Sequence, residues 1–350
     1  MNIDYLIVGQ GLAGSILSYQ LLKRGKRIMV VDDPQLQSSS NVAAGLFNPI
    51  TGKKMVKTWL ADDLFPQLIN FYGELEHFLN ARFLYQKPIY RPFTSFAEQN
   101  EWIAKSADPT RQKFIQKNHH TSAYGDFVYD AFGGLELNFS GYVDIATLLK
   151  EYRAFLRREQ MIVEEAFEEE KLTIFDDSAQ YKHIEAEAVV YCDGPFSEEK
   201  SHFSWLPFRR VKGEILIIEP NEQIPVIFNR GIFILPLENG YCKVGSTYDW
   251  EDTSWDVTEK SGMELKGKLD AFFKKTYKII DQVAGIRPAT LDRRPFMGTH
   301  PVLKRLLIFN GFGTKGVSLM PYFSEKFCNF LIYGKELPFE ANINRYFSLY

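Results

Sequence analysis

A chain of 350 residues, 45% of them hydrophobic, can bury a large core and predicts about two domains of about 150 residues each. A formal net charge of −3 and a pI of about 6.1 provide no global basic field, which points away from nucleic acid and anionic membrane as partners. Cys192, Cys242 and Cys328 are widely separated and form no CxxC pair, so neither a metal site nor a disulfide framework is indicated. No run of about 18 apolar residues occurs and no charged leader precedes the first strand, so the expected location is cytoplasmic.

Tyr5-Leu6-Ile7-Val8 is a continuous apolar run, the pattern of a strand buried on both faces of a parallel sheet. It leads into Gly9-Gln10-Gly11-Leu12-Ala13-Gly14, a GxGxxG. A helix is predicted next, with Ala13, Leu17 and Leu21 on one face, closed by Lys23-Arg24-Gly25. A second buried strand, Ile28 to Val31, stops at Asp32. Gly9 and Gly11 let the backbone turn tightly and approach a pyrophosphate, while Gly14 lets helix and strand pack closely. The helix N-terminus then faces the negative charge. Asp32 is placed to accept a ribose 2′-hydroxyl, and Asp33 beside it disfavours the extra phosphate of NADP. Strand, glycines, helix and acid in that order predict a dinucleotide site, with NAD and FAD both open at this point.

Further along, Ser38 to Leu46 is a run of small residues, and Gly45-Leu46-Phe47-Asn48-Pro49 reads as a turn. Lys53, Lys54 and Lys57 form a basic cluster whose plainest reading is a solvated surface. Thr58 is placed as N-cap of a helix with a broad apolar face running to Leu79. Strands are predicted at 89–93, 127–137, 215–218, 231–236 and 241–246, and an amphipathic helix from Thr258 to Tyr277. Ser140-Gly141-Tyr142-Val143-Asp144 precedes a helical pattern of Leu148, Leu149, Tyr152 and Leu156. Short strands at 161–163, 172–175 and 183–187 lead to Val189-Val190-Tyr191-Cys192-Asp193-Gly194-Pro195-Phe196. Two more segments stand out: Ala284-Gly285-Ile286-Arg287-Pro288, and Phe309-Asn310-Gly311-Phe312-Gly313-Thr314-Lys315-Gly316-Val317.

Together these segments resemble the D-amino-acid oxidase, glycine oxidase and sarcosine oxidase family of flavoproteins over nearly the whole chain. The resemblance implies an α/β fold: a Rossmann-like FAD-binding domain from 1–86, 142–204 and 286–350, and a substrate domain from 87–141 and 205–285. That second domain should hold a mixed, mostly antiparallel sheet with helices on one face. FAD should be noncovalent, since no cysteine lies where sarcosine oxidases attach the flavin. The implied cofactor contacts are Gly9, Gly11, Leu12, Ala13, Gly14, Asp32 and Asp33, then Ser39, Ala43, Ala44, Gly45 and Leu46. Phe167, Cys192, Asp193 and Gly194 follow, then Gly311, Gly313, Thr314, Lys315, Gly316 and Val317, with Arg287 beside the flavin.

Arg287 is also the implied catalytic-site residue, its planar fork suited to clamp a substrate carboxylate. Lys315 reads equally as a cation beside the reduced flavin and as a solvent-exposed turn lysine. Cys192, Asp193 and Phe196 depart from the family's usual Ala-Gly-Ala-Trp-like ending, and Phe233 stands where a tyrosine is common. The implied reaction oxidises the C–N bond of a small carboxylated amine by hydride transfer to flavin N5, with O2 or another electron acceptor reoxidising the flavin. His119, His120 and His300 are candidate bases by residue type alone. The Gly-Leu-Phe-Asn-Pro turn is similar to the oxidase half of the bifunctional enzyme that modifies tRNA wobble uridines. One alternative is therefore a flavin oxidase acting on a carboxymethylaminomethyl group of tRNA, with Lys53, Lys54 and Lys57 facing the anion. Another is a flavin-binding protein without turnover.

Overall fold

The first apolar run forms a strand, Asn2–Val8, paired in parallel with Ile28–Val31 on one side and Ile184–Tyr191 on the other. The computed structural model describes residues 1–52, 56–200 and 202–350, so Lys53 and Lys54 of the basic cluster lie outside it. Leu306–Asn310 extends the parallel set beyond Ile184–Tyr191, and Ile162–Val163 extends it beyond Ile28–Val31. Side chains alternate between two cores. Tyr5 and Ile7 face the side packed with helices, whereas Leu6 and Val8 face a second cluster with Phe203, Leu206 and Phe208.

Helix Leu12–Leu22 is buried nearly all round, wedged against the C-terminal helix Gly316–Tyr333 and the helix Ile145–Arg158. Leu17 and Leu148 are fully buried, and truncating either to alanine would cost about 2–5 kcal/mol. Asp144 caps Ile145–Arg158 by accepting from the Thr147 N–H, and the predicted Leu148, Leu149, Tyr152 and Leu156 form its buried face.

A second, eight-stranded sheet runs in the order Tyr277–Arg287, Val211–Pro220, Cys242–Gly245, Ile232–Pro236, Ile227–Arg230, Ile89–Pro92, Gly134–Leu137, Ile115–His119. All its pairs are antiparallel except Ile227–Arg230 with Ile89–Pro92. One face packs on the helix Glu259–Asp270: Leu216, Val244, Ile234 and Phe228 meet Leu265 and Leu269 there. The opposite face looks toward the parallel domain.

Three expectations need correction. The helix placed at Thr58 begins at Ala61, because the Thr58 hydroxyl donates to the Asn48 carbonyl and Leu60 turns in the left-handed region. The strand expected over 127–137 is confined to Gly134–Leu137. Before it, Asp130 gathers the Ala123 and Tyr124 N–H groups and the Ser122 and Tyr90 hydroxyls into a turn. The helix expected to reach Tyr277 ends at Asp270, where Phe272 and Phe273 bend into the core, and Tyr277 opens the long strand that ends at Arg287. Among the described residues, no helix is long and apolar enough to cross a membrane, and no group of His, Cys, Asp and Glu could hold a metal.

Candidate active site

A cleft of about 1270 Å³ lies between the two sheets, larger than a single small-molecule pocket. Its inner end is the turn after the first strand. Gly9 has φ +98°, and a Cβ there would lie 2.8 Å from the Cys192 carbonyl oxygen, so the two strand ends close on each other only with glycine. Gly11, Leu12 and Ala13 line the cleft where the helix starts, and the N-cap residue, Gly11, has no side chain to cap it. Ser40 turns back to accept from the Leu12 N–H at 3.1 Å.

Asp32 and Asp33 line the same end. Asp32 Oδ1 accepts from the Gln10 N–H at 2.8 Å, and its Oδ2 is held by Arg153, which also reaches Glu164 at 2.8 Å. Arg153 escapes sequence reasoning: it stands one turn beyond Leu149 on its helix, and no motif marks it. Phe167, Cys192, Asp193 and Gly194 complete this wall. Burial pushes the Asp193 carboxyl up to about 7, against hydrogen bonds from Ser197 and Asn310 that favour the charged form.

Ser39, Ala43, Ala44, Gly45 and Leu46 also line the cleft, as do Gly313, Thr314, Lys315, Gly316 and Val317. The small-residue loop is tied to the second sheet: Ser39 Oγ donates to the Ile286 carbonyl and Lys243 Nζ to the Ala43 carbonyl at 2.9 Å. The C-terminal helix starts at Gly316, so its N-terminus opens here. Lys315 is not a solvent-exposed turn lysine. Burial and the nearby Arg294 and Arg293 push its ammonium down to about 8, and Nζ donates to Thr51 and Thr58 hydroxyls at 3.2 and 3.3 Å.

Two expected cofactor contacts do not line the cleft. A Cβ on Gly14 would collide with the Gly9 carbonyl oxygen, so this glycine serves helix–strand packing. Gly311, at φ +77°, would meet the Thr290 methyl at 2.6 Å and serves packing as well.

Arg287 ends the long strand and projects into the outer cleft. Nη2 donates to Ser246 Oγ at 2.8 Å, Nη1 faces the Thr247 carbonyl at 3.3 Å, and the guanidinium stacks on the Tyr248 ring at 4.6 Å. Its partners among the described residues are neutral: the Ser246 hydroxyl, the Lys212 and Thr247 carbonyls and the Tyr248 ring. Desolvation lowers its pKa, yet a guanidinium stays protonated, so a partly buried cation faces the cleft through fixed neutral partners. It lies flat over Gly213, where any Cβ would collide with its nitrogens. A glycine inside a strand pattern was the available signal for Gly213. Gly213→Ala should keep its FAD while weakening carboxylate inhibitors about tenfold or more, the size of one charge-assisted hydrogen bond, as read by titrating the flavin spectrum. Unchanged affinity would reject the stacking role.

Phe233 lines the cleft as a wall residue. The histidines do not. His119 pairs with Glu136 at 2.9 Å, and His120 is exposed. His300 Nδ1 accepts from the Leu303 N–H at 3.0 Å, with the ring among Phe203, Trp205 and Tyr350.

The glycine turn, the N-terminus of the helix Leu12–Leu22 and the second helix N-terminus fit the pyrophosphate and ring system of FAD, with Arg287 beyond them. The model of the FAD dependent oxidoreductase family matches residues 4–328. Glycine oxidase of Bacillus subtilis is 23% identical over 347 residues, covering 91% of this chain and 90% of the relative. The tRNA 5-methylaminomethyl-2-thiouridine biosynthesis bifunctional protein MnmC of Legionella pneumophila is 22% identical over 85% of this chain, which spans 45% of that relative's length. Among solved structures, glycine oxidase from Geobacillus kaustophilus superposes with a TM-score of 0.78 at 18% identity, covering 99% of this chain and 98% of that one. The chain belongs to the family of FAD dependent oxidoreductases.

Proposed function

We propose that this oxidoreductase oxidises the C–N bond of a small amine bearing a carboxylate. The observation that carries the reading is Arg287, a partly buried guanidinium that has no ion-pair partner among the described residues and opens onto the cleft beyond the helix N-termini. Bound FAD supplies the two-electron acceptor. Arg287 binds the carboxylate by its fork, Ser246 and the Thr247 carbonyl fix the fork, and Tyr248 covers its outer face. Phe233, without a hydroxyl, packs against the substrate's apolar atoms, the amine enters neutral, and no histidine is among the described residues that line the cleft. The protein is expected to purify yellow, to release its flavin on acid precipitation, and to bleach anaerobically with some members of a panel of amino and N-alkylamino acids. Flavin that stays with the precipitate, or that no member reduces, contradicts this reading.

A second reading places the carboxylated amine on a tRNA base. It draws on the similarity to MnmC and on exposed Tyr248 and Trp250, each 4.6 Å from an arginine, Arg287 and Arg209. An RNA hairpin carrying a carboxymethylaminomethyl base, added to the same panel, separates the two: the second reading requires the hairpin to bleach faster than its free nucleoside.

A further inference from the structure

The cleft face of the second sheet carries one continuous cross-strand row. Ile215 pairs with Gly245, Gly245 with Phe233, and Phe233 with Asn229. Because Phe228 pairs with Tyr90, Arg91 continues the row beside Asn229. All five residues line the cleft, and the row passes from apolar to amide to cation as it leaves the Arg287 side. The Arg287 guanidinium lies over Gly213, on the strand that carries Ile215. From that strand to the one carrying Arg91 is four strand spacings, on the order of 19 Å between backbones at about 4.8 Å each.

The far end of this row is a second cationic pole. Arg91 Nη1 donates to the Gly52 carbonyl at 2.9 Å, while Lys315 Nζ donates to the hydroxyl of Thr51, the preceding residue, at 3.2 Å. The two side chains therefore converge on one turn. Arg230 lies beside Arg91, and both share the nearby Glu98, which leaves the group net positive. Carboxylates among the described lining residues lie elsewhere or are spent. Asp32, Asp33, Glu169 and Asp193 belong to the dinucleotide end, and Glu264 is held by Lys268 at 2.5 Å.

We propose that Asn229, Arg91 and Lys315 form a distal anion subsite, and that the substrate is an elongated amine with one carboxylate at Arg287 and a second at this pole. The proposal rests on the amine-oxidation reading and names its substrate class. A cleft with two like-charged poles and an apolar floor between them holds a dianion in one register, and it penalises the neutral analogue by leaving one pole unpaired.

The test uses the FAD-loaded protein and a matched pair: an N-carboxyalkyl glycine and its neutral terminal amide. The acid is expected to reduce the flavin with kcat/KM about ten- to a hundredfold above the amide, the range one charge-assisted contact supports. In Arg91→Gln, verified by FAD content and thermal midpoint, the ratio should collapse toward one. A ratio near one in the parent protein, or an undiminished ratio in folded Arg91→Gln, overturns the subsite. Binding of a longer dicarboxylate, suberate, against its monoamide, read from the flavin spectrum, repeats the comparison without turnover. If neither amine reduces the flavin, the amine-oxidation reading fails alone. The subsite then stands if suberate is preferred and Arg91→Gln abolishes that preference, and falls if no preference exists.

Discussion

Arg287→Lys should lower kcat/KM for the carboxylated amine about ten- to a hundredfold, and Arg287→Ala should lower it further, with FAD content unchanged. Lysine keeps the charge but loses the fork, so it cannot donate two parallel hydrogen bonds to one carboxylate. It also cannot hold Ser246 and the Thr247 carbonyl while stacking flat on Tyr248. Alanine removes the cation outright and leaves a void over Gly213. Competitive inhibition by simple carboxylates should weaken in parallel. A structural arginine would behave differently: its loss would release the Ser246–Tyr248 segment, lowering the thermal midpoint or the flavin content, while inhibitor affinity per folded molecule held. Unchanged carboxylate binding in a folded, yellow Arg287→Ala protein refutes the clamp.

The second large effect is expected at Gly11. Gly11→Val should give a folded protein with FAD affinity reduced at least about a hundredfold, since two or more charge-assisted contacts to the pyrophosphate are lost together. The protein itself has room for the substitution. A Cβ at Gly11 meets only Ser40 Oγ, at 3.3 Å, and the backbone φ of −68° suits any residue. The branched methyls would instead occupy the cleft in front of the helix N-terminus. Gly14→Val is the control with the opposite signature. Its Cβ strikes the Gly9 carbonyl, so that variant should lose stability as well as flavin. Normal FAD content in Gly11→Val, measured by absorbance after gel filtration, would remove the glycine turn from the pyrophosphate site.

Signals that are local in the chain are legible in the amino-acid sequence. The strand–glycine–helix–acid unit at residues 5–32 depends on periodicity and on glycines adjacent in sequence, and it appears at those residues. The helix after Asp144 is legible for the same reason, since a cap and an apolar face are local properties. Where a side chain's role depends on a distant segment, the sequence is silent or misleading. Thr58 has the composition of a cap, but its hydroxyl is claimed by Asn48 across the turn. Gly311 sits in a glycine-rich loop like its neighbours, yet Thr290 packs where its Cβ would be.

The amino-acid sequence by itself determined the strand–glycine–helix–acid unit of a dinucleotide turn, and the family resemblance marked Arg287 as a candidate clamp. Tertiary structure alone decided what surrounds them: Arg153 on Asp32, Gly213 beneath Arg287, and Lys315 turned onto Thr51 and Thr58. It also decided that Asn229 and Arg91 stand in one row with Phe233. The physical reason is that pairing register and side-chain packing are set by strands far apart in sequence, whose meeting no local propensity encodes.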